Sequence, residues 1–200
     1  MAIIRITDKS YATLDATKLS GALPAIAGGS LTGIEAISEI DVWSVTADQS
    51  NFTTVGVQNN SMIARHTGAN FTYKGTGMTL VHATHFTFPS TGYWYVSLRA
   101  QWRFEGSTNA RGVGCRIDRS TNAGGSWEDN YGLDQGAQTS YSSDNGYIST
   151  DANCIFEVDD ISQVFVRGHY VGSPASSSID MAHDDVDQSS GWTFIKLRGL

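Results

Sequence analysis

Residues 86 to 96 read Phe86-Thr-Phe-Pro-Ser-Thr-Gly-Tyr-Trp-Tyr-Val96, a strand that stops at a proline, turns through Ser-Thr-Gly and restarts. After the turn, Trp94, Val96, Leu98, Ala100, Trp102 and Phe104 alternate with Tyr93, Tyr95, Ser97, Arg99, Gln101 and Arg103. This is the period-two pattern of a strand with one face in a core. The second face carries two tyrosines and two arginines, which is neither core nor ordinary wet surface. Such a face is expected to meet another subunit.

From residue 41 onward the chain reads as all-β. Strands are expected over 41–46, 78–88, 93–104, 112–119, 153–158, 163–170 and 192–198, punctuated by Gly, Ser, Asn and Asp. Asn122-Ala-Gly-Gly-Ser and Ser142-Ser-Asp-Asn-Gly are turn signals. Residues 172–190 read as a long exposed loop, or one that hides a short edge strand. Strands without intervening helices predict a β-sandwich.

The 200 residues bound this to one β-domain with an appendage, and charged residues are only 16% of the chain. That composition favours a turn-rich β-protein. A net charge of −7 argues against nucleic acid as a partner. No apolar run approaches the roughly 18 residues needed to span a bilayer, and the Met1-Ala-Ile-Ile-Arg start lacks a signal-peptide core, so no membrane partner is expected. Cys115 and Cys154 have no metal-ligand spacing and read as two buried free thiols.

The chain divides near residue 40. Leu14 to Ile34 is a run of small residues punctuated by single aliphatics, too poor to bury a core. Lys18-Leu-Ser-Gly and Ser30-Leu-Thr-Gly echo each other within it, as a short degenerate repeat or by chance.

Catalysis finds little support. His66, His82, His85, His169 and His183 are scattered, with no His-Glu-x-x-His helix and no Gly-x-Ser-x-Gly elbow. Read within one strand, His82 and His85 fall on opposite faces, which defeats a shared metal site and puts His82 beside a core or subunit contact. Asp180-Met-Ala-His-Asp-Asp-Val-Asp187 offers four carboxylates, but lacks the early Gly and the closing Glu of a calcium loop. It reads as a solvated acidic loop. No metal and no cofactor are expected. Asn51-Phe-Thr, Asn59-Asn-Ser and Asn70-Phe-Thr match the glycosylation sequon, which means little without secretion.

With the strands placed, Phe86-Thr-x-Pro-x-x-Gly-x-Trp-x-Val resembles the Phe-Thr-x-Pro-x-x-Gly-x-Tyr-x-Phe motif of the C1q and tumour necrosis factor superfamily. Phe156-Glu-Val-Asp-Asp-Ile-Ser-Gln-Val-Phe-Val and Ser190-Gly-Trp-Thr-Phe-Ile-Lys-Leu resemble two further strands of that family, in the right order. The chain departs from the family at Trp94 and Val96, and at Ile161 and Ser162, where the family prefers Gly-Asp. The resemblance implies a ten-stranded C1q/TNF-like jelly-roll sandwich over residues 41–200, assembled as a homotrimer. It places the strand after Gly92 in the inner sheet, with Tyr93, Tyr95 and Arg99 turned toward neighbouring subunits.

The leader, residues 1–40, is similar to segments of bacteriophage tail fibres and other virion proteins. Together the two resemblances imply a virion structural protein, a trimeric capsid fibre or decoration protein whose N-terminal segment meets other virion proteins. The receptor-binding tip of a tail fibre or baseplate is the alternative. A soluble carbohydrate-binding module or bacterial C1q-like adhesin is the reading from another class. For those readings Trp127, Tyr131 and Tyr141, set among Ser, Asn and Asp, are the candidate residues for stacking on a host-surface glycan, unless they pack under their own loops.

Overall fold

A computed structural model describes residues 37–47, 56–57, 63–66, 73–104, 112–136, 146–173, 179–181 and 190–200. Within these residues the protein forms twelve strands: β1 (Ile40–Val45), β2 (Gly56–Val57), β3 (Ile63–Arg65), β4 (Thr79–Val81), β5 (His85–Thr87), β6 (Gly92–Phe104), β7 (Gly112–Ser120), β8 (Glu128–Gly136), β9 (Gly146–Val158), β10 (Phe165–Ser173), β11 (Ile179–Met181) and β12 (Gly191–Arg198). They make two antiparallel sheets. The first, sheet A, runs β3-β1-β12-β6-β9, with β11 extending the β12 edge of β6. The second, sheet B, runs β4-β5-β10-β7-β8, with β2 extending the β5 edge of β10.

The alternation expected of residues 93–104 is realised in β6. Trp94, Val96, Leu98, Ala100 and Trp102 are fully buried between the sheets. Phe86 of sheet B lies against three rings of sheet A, with centroids 5.1 Å from Trp43, 5.5 Å from Trp192 and 5.0 Å from Phe194. Trp94 packs on Phe88, and Trp102 on Tyr170. Large aromatic rings filling the gap between two twisted sheets are the main apolar contribution to this core.

The turn before β6 is held from both sides. Gly92 has φ +142°, and a Cβ there would meet the Arg198 carbonyl oxygen at 2.3 Å, so the position takes only glycine. Trp94 Nε1 donates to the Ser90 carbonyl at 3.1 Å, a bond that the indole at this position supplies. At the other departure, Asp160 builds the turn by itself. Its Oδ1 accepts from Ser162 N at 2.8 Å and Ser162 Oγ at 2.7 Å, and its carbonyl accepts from Gln163 N and Val164 N. Those side-chain bonds hold the exposed Asp160 carboxyl below its ordinary range.

Several strands depart from the sequence reading. Residues 78–88 form two strands, β4 and β5, because His82 and Ala83 both take positive φ, +49° and +53°, and close a hairpin. His82 and His85 therefore flank a turn, and His82 is exposed instead of lying beside a core contact. β8 and the first half of β9 are not among the expected strands. Both are polar in composition and are set by ladders to β7 and β6. β10 begins at Phe165 and runs on to Ser173, into the segment read as a loop, where β11 also lies. Residues 1–36 of the leader fall outside the described residues, as do Asn51, Asn59, Asn70, Tyr141 and the acidic stretch beyond Met181.

One ion pair ties β1, β3 and the start of β4. Asp41 is 1% exposed, inside sheet A. Arg65 Nε donates to its Oδ1 at 2.9 Å, Trp43 Nε1 to its Oδ2 at 2.9 Å, and the backbone N–H of Met78 to Oδ2 at 2.7 Å. Arg65 Nη2 also donates to the Met78 carbonyl at 2.6 Å, and the guanidinium lies between the rings of Trp43 and Tyr73. Both Asp41 oxygens have partners, as do Arg65 Nε and Nη2, the condition under which a buried carboxylate is tolerated.

Cys115 and Cys154 are free thiols, the first buried and the second half-buried. Burial pushes the Cys154 thiol up to about 12, against the opposing pull of Arg119. Two measurements follow. Asp41→Ala takes the carboxylate from Arg65 Nε, the Trp43 indole and the Met78 N–H, and should cost about 3–5 kcal/mol in denaturant unfolding. A cost under about 1 kcal/mol would show that the pair is not a lock. A thiol reagent at pH 8 should modify neither cysteine in the native protein and both after denaturation, since the thiolate is the reactive form.

Candidate subunit face on sheet A

The outward side of sheet A is built by the same alternation that fills the core. Between the buried positions of β6, Tyr93 and Tyr95 are half-buried and Arg99 is exposed, so all three residues expected at a subunit contact lie on this face. The registers of β1, β12 and β9 on β6 decide what stands beside them. Ile40 pairs with Ile195, Ile195 with Tyr95, and Tyr95 with Ile155. These four side chains form one apolar row across four strands. Ile155, at the β9 end, is 60% exposed. Directly opposed β-branched and aromatic side chains are the pairs that pack best on a pleated surface.

Charged rows lie above and below. Tyr93 is flanked by Glu157 and Arg198, with the Arg198 guanidinium 4.7 Å from the Tyr93 ring centre. On the other side Arg99 faces Asp151 at 4.0 Å, both side chains about half exposed. Between the Arg99 row and the apolar row, Ser97, Thr193 and Val42 border a shallow depression of about 180 Å³ that Arg99, Asp151 and Gly191 also line. Gly191 admits no side chain, since a Cβ there would sit 2.1 Å from the Trp43 carbonyl oxygen.

β9 closes this face with an edge. Its thirteen residues ladder with β6 along their whole length, and among the described strands nothing pairs with the other side. Both the apolar row and the open edge escaped the sequence reading. Ile155 and Ile195 are ordinary strand residues until the register sets them beside Tyr95.

The candidate sugar-stacking residues do not come together as a described group. Trp127 is half-buried at the rim of sheet B, with the Arg167 guanidinium 4.2 Å over its ring and His85 beside it at 5.9 Å. Tyr131 lies on β8 opposite Ile117, with only its backbone described, and Tyr141 is outside the described residues. His169 is buried, with Nδ1 3.0 Å from both Asp118 Oδ2 and Arg116 Nε. One proton on that nitrogen decides whether it donates to the carboxylate or accepts from the guanidinium. His66 lies at the end of β3 with Nδ1 3.4 Å from Ser44 Oγ.

The sequence matches no protein-family model and no curated protein. Solved structures do match. The crystal structure of murine APRIL aligns at 12% identity with a TM-score of 0.51, covering 80% of this chain and 98% of that one. Eiger TNF from S. frugiperda aligns at 14% identity with a TM-score of 0.45, covering 82% and 95% of the two chains. At such identity the likeness to APRIL is one of fold. Two antiparallel sheets, the Gly92 turn into the central strand of sheet A and that structural match agree: the described residues form a jelly roll of the tumour necrosis factor type.

Proposed function

We propose that this protein is a trimeric virion display protein, a capsid fibre or decoration protein whose jelly-roll head assembles through the outward face of sheet A and whose leader attaches it to the particle. Its role is structural and not catalytic. The observation that carries the assembly is the apolar row Ile40–Ile195–Tyr95–Ile155, which ends on the unpaired edge of β9. An exposed apolar row rimmed by charge is a contact surface. A row that runs off an edge favours the edge of one copy meeting the face of the next, a head-to-tail contact that closes into a ring. The flanking Arg99–Asp151 and Glu157–Arg198 rows carry both signs and can pair across it. Three copies per ring is the number implied by the C1q and tumour necrosis factor resemblance.

The polarity of the head supports attachment through the leader. Glu39 accepts through its carbonyl from Lys196 N at 3.0 Å, so the chain meets β1 at the same pole where β12 ends. Phe104 pairs with Gly146, and Ser173 with Gly112, at the opposite pole. The chain between β6 and β7 and between β8 and β9 leaves from that far pole, which favours the second reading, a receptor-binding tip. The virion itself rests on the leader's similarity to fibre segments. Labelling the C-terminal head and imaging virions separates head from tail.

Light scattering of the isolated protein should give the mass of a trimer. Tyr95→Asp places a charge in the middle of the apolar row and should weaken assembly by about 2 kcal/mol or more while each subunit keeps its fold. A wild-type protein that stays monomeric at micromolar concentration would sink the assembly. A chain beginning at Ile37 keeps β1 whole and should fold and trimerise, yet fail to join the virion. Its incorporation at wild-type level would defeat the attachment role of the leader.

A further inference from the structure

Read as one strand, residues 78–88 put His82 and His85 on opposite faces; the turn at His82 and Ala83 removes that separation. Val81 pairs with His85 across the hairpin, and Thr84 N donates to the Val81 carbonyl at 3.0 Å. The chain therefore doubles back between the two histidines, and both belong to one short closed loop of sheet B. His82 is exposed and His85 half-buried.

The surroundings of His85 prepare one of its ring nitrogens. Thr84 Oγ1 donates its only proton to the Val81 carbonyl at 3.2 Å. The same oxygen lies 2.9 Å from His85 Nδ1, and with its proton spent it can only accept there. That places the ring hydrogen on Nδ1 and a bare lone pair on Nε2. Phe165 stacks on the imidazole at 4.8 Å and 16°, and Trp127 lies beside it at 5.9 Å. Stacking holds a face of the ring, whereas a metal is bound at its edge, and among the described residues nothing hydrogen-bonds to Nε2. Burial lowers the His85 pKa, and His82 and Arg167 lower it further, so the ring is uncharged at neutral pH. A second-shell acceptor for the far N–H is what fixes the tautomer and aim of a metal-binding histidine.

We propose that His82 and His85 Nε2 together bind a divalent transition ion of the kind that prefers imidazole, Zn²⁺, Ni²⁺ or Cu²⁺. Among the described residues no group of three or more His, Cys, Asp or Glu is placed to hold an ion, so the protein supplies two ligands and water the rest. Such a site is open, in contrast to the closed four-ligand shell of a structural zinc. Arg167 is the cation that works against the ion. Its charge is partly offset by Asp118, to whose Oδ2 Arg167 Nε donates at 3.2 Å, and the chain as a whole carries a net charge of −7. The site lies on sheet B, so it stands or falls apart from the trimer. A monomeric protein that binds would keep the site and refute the assembly.

Equilibrium dialysis of the full chain against Zn²⁺, with excess Mg²⁺ as a hard-ion competitor, tests this. Saturable uptake of about one Zn²⁺ per chain is expected, undisturbed by Mg²⁺ and lost in His82→Gln and in His85→Gln. His82 is exposed, so His82→Gln should keep the wild-type melting temperature and the loss cannot be put down to unfolding. His183→Gln, which alters the histidine set among carboxylates, should leave uptake unchanged. Thr84→Val removes the hydroxyl that aims His85 and should weaken Zn²⁺ by about tenfold, whereas Thr84→Ser should not. No saturable uptake, displacement by Mg²⁺, survival of the site in either His82→Gln or His85→Gln, its loss in His183→Gln, or equal affinity in the two Thr84 variants would each overturn the proposal.

Discussion

Sheet A is organised by a single strand laddered on both edges. β6 pairs with β9 from Gly92 to Phe104 on one side and with β12 and then β11 on the other. Its inward side chains from Trp94 to Trp102 are fully buried against sheet B. With both edges and one face committed, a one-residue slip would exchange Trp94, Val96 and Leu98 for Tyr93, Tyr95 and Ser97 in the core. That cost fixes the register, and the register fixes what stands on the outward face. The apolar row and the charged rows around it are consequences of packing the other side.

The chain is sparing with charge, yet among the described residues two carboxylates are almost completely buried, Asp41 and Asp118. Each faces arginine, and the two pairs act differently. Asp41 also accepts from a backbone N–H and an indole, so it joins three segments that are distant in sequence. Asp118 is opposed only by side chains of its own strand and the next. The first is a tertiary lock; the second sets the aim of the guanidiniums above it.

What the sequence made legible was what local pattern encodes. The alternation of residues 93–104 marked β6, and the Phe-Thr-x-Pro-x-x-Gly turn marked the way into it. The Gly112 and Trp192 strands stood out for the same reason. β8 did not, because Glu-Asp-Asn-Tyr-Gly-Leu-Asp-Gln-Gly has the composition of a loop and becomes a strand only through its ladder to β7. Nor did the hairpin at His82 and Ala83, whose positive φ angles fall on residues other than glycine or asparagine. Tyr93, Tyr95 and Arg99 could be assigned to one face from spacing alone. Ile40, Ile155 and Ile195 could not, since their meeting depends on strand pairings that are far apart in the chain, and the Arg167–Asp118 contact is likewise non-local.

The open side of β9 gives the subunit a hazard in time as well as a surface. The outer edge of β9, which no described strand pairs, lies beside an exposed isoleucine and is a template for any extended chain nearby. Between the moment a subunit folds and the moment a neighbour covers that strand, aggregation competes with assembly. Anything that holds nascent copies close together shortens this interval, because it raises their concentration near one another. Yield during synthesis, more than the stability of the finished particle, is then where a weakened β9 contact would first be felt.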